Sequence, residues 1–149
     1  MITGRKRMLN KRLNQDEFAN LIPHAGNMIL IDQVEDWGDK FIICNTISHM
    51  AKDNPLRLNG ILSSIHLIEY GAQAMAIHGG LLTGKASPGF LAAARGVHFH
   101  IDCLDQIQGP MIISAQAELK IKNGAVYEFH ITDSTNTLLV DARATVINI

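Results

Sequence analysis

The chain has 149 residues, of which 47% are hydrophobic and 18% charged, a balance that excludes a disordered chain and suits one globular domain. Its net charge of −1 argues against nucleic acid as the main partner. No apolar run approaches the ~20 residues needed to span a bilayer, and Cys44 and Cys103 are too far apart in sequence to suggest a metal-ligand pair. We expect a cytoplasmic protein with reduced thiols.

The N-terminus is basic. Residues 1–12 carry five of the 13 positive charges, and no apolar segment follows them, so they do not form a secretory signal. We interpret residues 1–12 as a flexible arm, because chain ends are usually loose, with a docking site for an acidic partner as the alternative. Residues 13–149 are then a single domain.

A short helix is predicted first. Asn14 can cap a helix over residues 15–21, with Glu17 at the third position of a capping box, and Pro23 ends it. Two strands follow, over residues 28–35 and 41–48, joined by a turn at Gly38-Asp39.

A long helix is predicted over residues 62–78. It is apolar almost all the way round, yet His66, Glu69 and Gln73 fall within a sector of about 60°. A helix of this kind belongs in a core, where a carboxylate is costly unless it is paired, so Glu69 needs an explanation. The glycines at 79–80 suit the end of the helix.

Only strands follow the long helix. Residues 113–122 and 127–132 alternate strictly between apolar and polar side chains, and Asn123-Gly124 between them is a strong hairpin signal. Short connections make the sheet antiparallel, and a two-faced sheet can bury a largely apolar helix by curling around it. The predicted fold is α+β, with five to seven curved strands around one long helix. Further strands are predicted at 90–94, 97–101 and 140–146.

Two segments resemble a known family. Residues 21–34, LIPHAGNMILIDQV, resemble the opening of the 3-hydroxyacyl-[acyl-carrier-protein] dehydratases, with Pro-His, an apolar strand and Asp-x-Val in that order. Residues 68–73, IEYGAQ, resemble the Glu-x-x-x-Gln motif on the central helix of that family. The resemblance implies the hotdog fold, and it is greatest to the divergent dehydratase-like proteins of polyketide or aryl-polyene pathways.

Dehydration requires a base for the proton next to the carbonyl and an acid for the departing hydroxyl. The resemblance implies that Glu69 is the acid, although pairing for stability alone is the alternative. The family places a His fourteen positions before this Glu, where this chain has Pro55. His49, on the preceding loop, is the first candidate base and His66, one turn before Glu69, the second. The resemblance gives His24 a structural role.

Substrate-binding candidates are Gln73 of the helix motif, Ser63 and Ser64 at the helix start, and Arg57, a cation for a phosphopantetheine phosphate. His98, His100 and His130 alternate with the apolar residues of their strands, so we expect them to face solvent. Two ligands without a third at fixed spacing are weak evidence for a metal. We predict neither metal nor cofactor.

The leading hypothesis is a 3-hydroxyacyl-[acyl-carrier-protein] dehydratase-like protein acting on acyl thioesters in fatty-acid or polyketide-type biosynthesis. The alternatives are an acyl thioesterase and a non-catalytic partner subunit of a heteromeric dehydratase, which the lost loop His supports. The expected partners are an acyl-carrier protein or a CoA thioester. By resemblance, we also expect a homodimer or higher oligomer, with a heteromer with a homologue as a further possibility.

Overall fold

The computed structural model describes residues 12–86 and 89–148. The predicted arm, residues 1–12, lies outside this part of the chain except for Arg12, so the proposed domain limits stay a prediction. The described elements are two helices and seven strands. They are β1 (Leu13–Asn14), α1 (Gln15–Phe18), β2 (Gln33–Gly38), β3 (Phe41–Thr46), α2 (Leu67–Thr83), β4 (Gly89–Phe99), β5 (Met111–Ile121), β6 (Gly124–Thr132) and β7 (Leu138–Asn148).

The strands form one antiparallel sheet in the order β1-β2-β3-β5-β6-β7-β4, and α2 packs against its inner face. The predicted α+β hotdog architecture is confirmed. Alternation along β6 explains the packing, because Tyr127, Phe129 and Ile131 are buried while Glu128 and His130 are exposed. The predicted hairpin between β5 and β6 is confirmed too, with Asn123 at φ +61°.

The first helix is shorter than predicted. Only residues 15–18 are α-helical, and a 3-10 turn continues to Leu21. The Asn14 N–H donates to Oε1 of Glu17 at 2.9 Å, as a capping box requires.

The strand predicted at residues 28–35 begins later, at Gln33. Main-chain groups of Met28 and Leu30 hydrogen-bond the side-chain amide of Gln73 on α2 instead of a neighbouring strand. A side chain from the helix thus takes the place of a β ladder in this segment.

The long helix also differs from its prediction. It begins at Leu67, after a 3-10 turn over Ser64–His66, and it runs past the glycines at 79–80 to Thr83. Gly84, at φ +79°, is the actual C-cap, because glycine adopts left-handed backbone without strain. Gly80 serves packing instead, since a Cβ there would lie 2.8 Å from Cβ of Leu21.

His78 joins α2 to the sheet. Its ring is fully buried, with Nδ1 2.7 Å from the Tyr127 hydroxyl and Nε2 2.8 Å from the Gly38 carbonyl oxygen. A carbonyl can only accept, so Nε2 carries the proton and Nδ1 accepts from Tyr127. Burial lowers the pKa of His78 and raises that of Tyr127 to about 12, so both are neutral near pH 7.

Neither a membrane-spanning helix nor a metal cluster is found in the described residues. No described helix is both long and apolar enough to cross a bilayer. Likewise, no group of three or more His, Cys, Asp or Glu side chains in the described ranges could hold a metal ion.

Candidate active site

An open cleft of about 770 Å³ runs beside α2. Its floor is one face of the helix, and its walls are the segment from Leu21 to His24 on one side and inner-face residues of the sheet on the other. We call it the α2 cleft. The wall residues on the sheet include Leu91, Ala117, Ala125, Tyr127 and Val146.

Helical spacing explains the floor of the α2 cleft. Glu69, Ala72, Ala76, Gly79 and Thr83 follow one another at intervals of three or four, which places them on one face of α2. The side chains between the two polar ends are small or absent. The cleft therefore exists because this face of the helix leaves room beneath the sheet.

A histidine and a carboxylate meet at the N-terminal end of the α2 cleft. Nε2 of His24 lies 3.3 Å from Oε2 of Glu69, and both residues line the cleft. Nδ1 of His24 is buried and has no hydrogen-bond partner in the part of the chain that the structure describes. An imidazole beside a carboxylate can accept and donate a proton, as general acid–base catalysis requires.

The sequence suggested that Glu69 is buried, but the structure shows it partly exposed. Its side chain is 42% exposed, and that of His24 is 25% exposed. The helix is less enclosed than its composition implies, because the α2 cleft opens the face that carries Glu69. Both groups are therefore reachable by a molecule that enters the cleft.

Gln73, predicted to bind substrate, holds the chain that carries His24. Its Oε1 accepts from the Leu30 N–H at 2.8 Å, and its Nε2 donates to the Met28 carbonyl at 2.7 Å. The residue lines the cleft but is only 1% exposed. Since Gln73 lies one turn after Glu69, it fixes the segment after His24 relative to the helix that carries Glu69.

His49, the first candidate base, lies elsewhere. Its side chain is 1% exposed, and neither ring nitrogen has a hydrogen-bond partner of good geometry among the described residues. Burial lowers the pKa of His49, and main-chain groups of Ile107 and Gly109 beside the ring partly offset this. His49 does not line the α2 cleft.

The residues predicted at the helix start also lie outside the cleft lining. His66 is the residue before α2 and forms no ion pair with Glu69 within 4 Å. The Ser63 hydroxyl accepts from the Ile65 N–H at 3.4 Å, and Ser64 is buried, with its N–H donating to the Asp102 carbonyl. These serines shape the turn into α2.

Arg57 braces the loop before α2. It donates to the carbonyls of Ala51, Gly60 and His49 and forms an ion pair with Asp105. Its side chain is 13% exposed. Little of this guanidinium is left for a phosphate in this structure. The roles predicted for Arg57, His49, His66 and the two serines stay predictions.

Comparison with known proteins identifies the family. The family model of the ApeP dehydratases, described as "ApeP-like: ApeP dehydratase", matches residues 16–149. The chain belongs to the ApeP dehydratase family. The predicted resemblance to divergent hotdog dehydratases is confirmed by this match. No curated protein sequence matches the chain.

Solved structures agree on the fold. A chain of the dehydratase heterocomplex ApeI:P from Xenorhabdus doucetiae is 24% identical, with a TM-score of 0.77 over 89% of this chain and 90% of that chain. The PaaI protein of the E. coli phenylacetic acid degradation operon is 14% identical, with a TM-score of 0.58 over 76% and 80%. A hypothetical thioesterase from Streptococcus pneumoniae TIGR4, solved with coenzyme A, is 13% identical, with a TM-score of 0.56 over 78% and 84%.

The outer face of the sheet in this ApeP-family chain carries a separate cluster. Nδ1 of His98 and Nε2 of His100 lie 3.0 and 3.1 Å from the two carboxylate oxygens of Asp141, and His130 is the cross-strand neighbour of Asp141. Contact with His98 and then His100 lowers the pKa of Asp141. The three histidines are exposed as predicted, and two of them fasten the end of β4 to β7.

Sequence reasoning missed His24 as a neighbour of Glu69. It also missed Gly79 on the cleft floor, which was interpreted as part of the helix end. The spacing of Ala72, Ala76 and Gly79 behind Glu69 was a usable signal for it. For His24 the Pro-His segment was the signal, but no local pattern tells which helix residue it reaches.

Proposed function

We propose that this chain is a 3-hydroxyacyl thioester dehydratase in which Glu69 and His24 move the protons. The observation that carries the proposal is the 3.3 Å contact between these side chains at one end of an accessible, largely apolar cleft. Membership of the ApeP dehydratase family supports the same reaction class. His24 thus replaces His49 and His66 as the partner we favour.

The reaction needs both members of the pair. One group removes a proton from the carbon next to the thioester carbonyl, and the other protonates the hydroxyl on the following carbon, which leaves as water while the double bond forms. One proton is taken and one is given, so the pair carries the same number of protons afterwards. We assign the base to His24 and the acid to Glu69.

The proposed substrate is an acyl thioester on an acyl-carrier protein or CoA, from a fatty-acid or polyketide-type pathway. The apolar walls of the α2 cleft suit an acyl chain, and its polar ends suit the thioester and solvent. The carrier and the pathway are inferred from the family alone.

Turnover tests the proposal directly. Incubation with a 3-hydroxyacyl thioester should produce enoyl absorbance, and Glu69→Gln and His24→Asn should each lower kcat by about a hundredfold or more, the usual weight of a general acid or base. Glu128→Gln and His130→Asn, at exposed sites outside the cleft, are matched controls. Free thiol without enoyl product would instead indicate a thioesterase.

A second proposal concerns assembly. We infer that the chain works as a dimer, with another copy or with a homologous dehydratase subunit. Strand β4 is eleven residues long and has a neighbouring strand on one side only in the described part of the sheet. Such an edge can accept a further strand. The similarity in fold between this chain and a chain of a dehydratase heterocomplex supports a homologous partner.

Several apolar side chains in the segment before α2 are exposed, and they also support dimerisation. Surfaces of this kind are typical of protein interfaces. Light scattering after size exclusion should give twice the chain mass, or should do so only after co-expression with a homologue. A monomer under both conditions would contradict dimerisation. The exposed residues are Ile47, Met50, Leu58, Ile61 and Ile65.

A further inference from the structure

The α2 cleft is longer than the proposed chemistry requires. The acid–base pair occupies only its N-terminal end, whereas the lining continues along the helix to Leu82 and Thr83. From Glu69 to Thr83 the helix rises by about 21 Å at 1.5 Å per residue. Most of the cleft therefore has no role in the proton transfers themselves.

Gly79 lies in this unexplained stretch, and no packing contact requires a glycine there. A Cβ added at Gly79 would have nothing within 4 Å, whereas one at Gly71 would meet the Phe129 ring at 2.6 Å. Glycine inside a helix lowers stability, so a glycine without a packing reason calls for another explanation. Its missing side chain leaves open space in the cleft.

The surroundings of Gly79 indicate what fills that space. Ala76 and Leu82 line the cleft on either side of it along the helix, and the sheet contributes Leu91 and Val146, which are cross-strand neighbours on β4 and β7. Polar and charged residues line the cleft as well, among them Asp39, Lys40, Lys120 and Asn148. An unbranched apolar chain matches a long passage whose lining along the helix is largely apolar.

We propose that this stretch binds the distal part of a long acyl chain and that Gly79 determines how long a chain is accepted. This inference rests on the dehydratase function proposed above. The thioester lies at the end of the cleft that holds Glu69 and His24. The chain then follows the helix over Ala76 and Gly79. A larger side chain at position 79 closes the passage about 15 Å from Glu69, counting ten residues of helix.

Chain-length profiles test the inference. The full-length wild type and Gly79→Leu are compared on 3-hydroxybutanoyl, 3-hydroxyoctanoyl and 3-hydroxydodecanoyl thioesters. Gly79→Leu should lower kcat/KM for the dodecanoyl substrate by about tenfold or more, as expected when two or more methylene groups lose their apolar wall, and leave the butanoyl substrate within about twofold. Ala86→Leu, exposed and outside the cleft lining, is the matched control.

A binding measurement separates this inference from the proposed reaction. Calorimetric titration with dodecanoyl-CoA and butanoyl-CoA requires no turnover, and Gly79→Leu should weaken only the longer ligand, again by about tenfold. If the wild type forms no enoyl product but this selective weakening is seen, the dehydratase proposal fails and the chain-length role of Gly79 stands. The role of Gly79 would be overturned if Gly79→Leu weakened the binding of both ligands equally or weakened neither. Circular dichroism must show that the variant is folded.

Discussion

Nε2 of His24 lies 3.3 Å from Oε2 of Glu69, although 45 positions separate the two residues in the chain. The contact depends on a loop held against α2, and the loop is held by Gln73. Gln73, which takes no part in the proposed proton transfer, thus helps to hold the segment that follows His24.

The pair should matter for turnover and little for stability. Partly exposed ion pairs contribute about 0–1 kcal/mol to folding, so Glu69→Gln should change the free energy of unfolding by less than about 1 kcal/mol while it abolishes most activity. Urea denaturation and enoyl formation measured on the same preparation check this. A variant that loses activity only because it unfolds would contradict a catalytic role.

Replacement of Gln73 should affect both properties. Gln73→Leu keeps a similar volume but leaves the Leu30 N–H and the Met28 carbonyl without their partner, at a cost of about 2–4 kcal/mol if both stay unpaired. Activity should fall too, because the segment that carries His24 loosens. Gln116→Leu, at an exposed position of β5, is the control. Equal stability of the two variants would show that Gln73 does not hold the loop.

Two glycines of α2 should respond in opposite ways to alanine. At Gly71 a Cβ would lie 2.6 to 2.9 Å from three atoms of the Phe129 ring, so Gly71→Ala forces a shift in the core and should cost about 1–3 kcal/mol. At Gly79 the Cβ meets nothing, and Gly79→Ala should stabilise the helix by about 0.5–1 kcal/mol. Thermal melting of the two variants and the wild type tests this: the melting temperature should fall in Gly71→Ala and rise in Gly79→Ala.

Acid should destabilise the fold before its carboxylates titrate. Burial lowers the pKa of His49 and of His78, so below about pH 6.5 the unfolded chain binds protons that the folded chain does not. This stability is complete above the unfolded pKa and falls as the pH drops below it, by at most about 1.4 kcal/mol per pH unit for each histidine.

The pH dependence of unfolding between about pH 7 and pH 5 measures this effect. His49→Leu removes one titrating group with a lowered pKa and should make the dependence shallower. Hydrogen bonds lower the pKa values of Asp105 and Asp141, so these carboxylates affect the pH dependence of unfolding only in stronger acid. An unchanged slope in His49→Leu would mean that the ring titrates alike in both states.

The fold could be predicted because its signals are local. Alternation along β5 and β6 and the Asn123-Gly124 hairpin depend on neighbouring residues only, and they fixed the sheet. The end of α2 was misplaced because the Gly80 backbone is needed against Leu21, a contact far away in sequence. Local glycine rules cannot distinguish a helix cap from a packing site.

The site was only half predictable. Glu69 was recognisable as a carboxylate on an apolar helix, and Gln73 by its spacing from it. The proposed partner was not, since the approach of His24 involves hydrogen bonds between the Gln73 side chain and main-chain groups, which no residue pattern records. Exposure of Glu69 was missed for a similar reason: the open cleft arises from the distance between helix and sheet.

The free side of β4 also has a consequence for handling the protein. A strand of eleven residues with a neighbour on one side only, among the residues described, is a template for any other extended chain, and natural proteins usually shorten, cover or charge such edges. In the proposed assembly, subunits made in excess of their partner would be prone to precipitate through this strand. For the proposed pairing with a homologous subunit, balanced production of the two chains would limit that loss, and a single substitution to proline on β4 would be a direct probe of it.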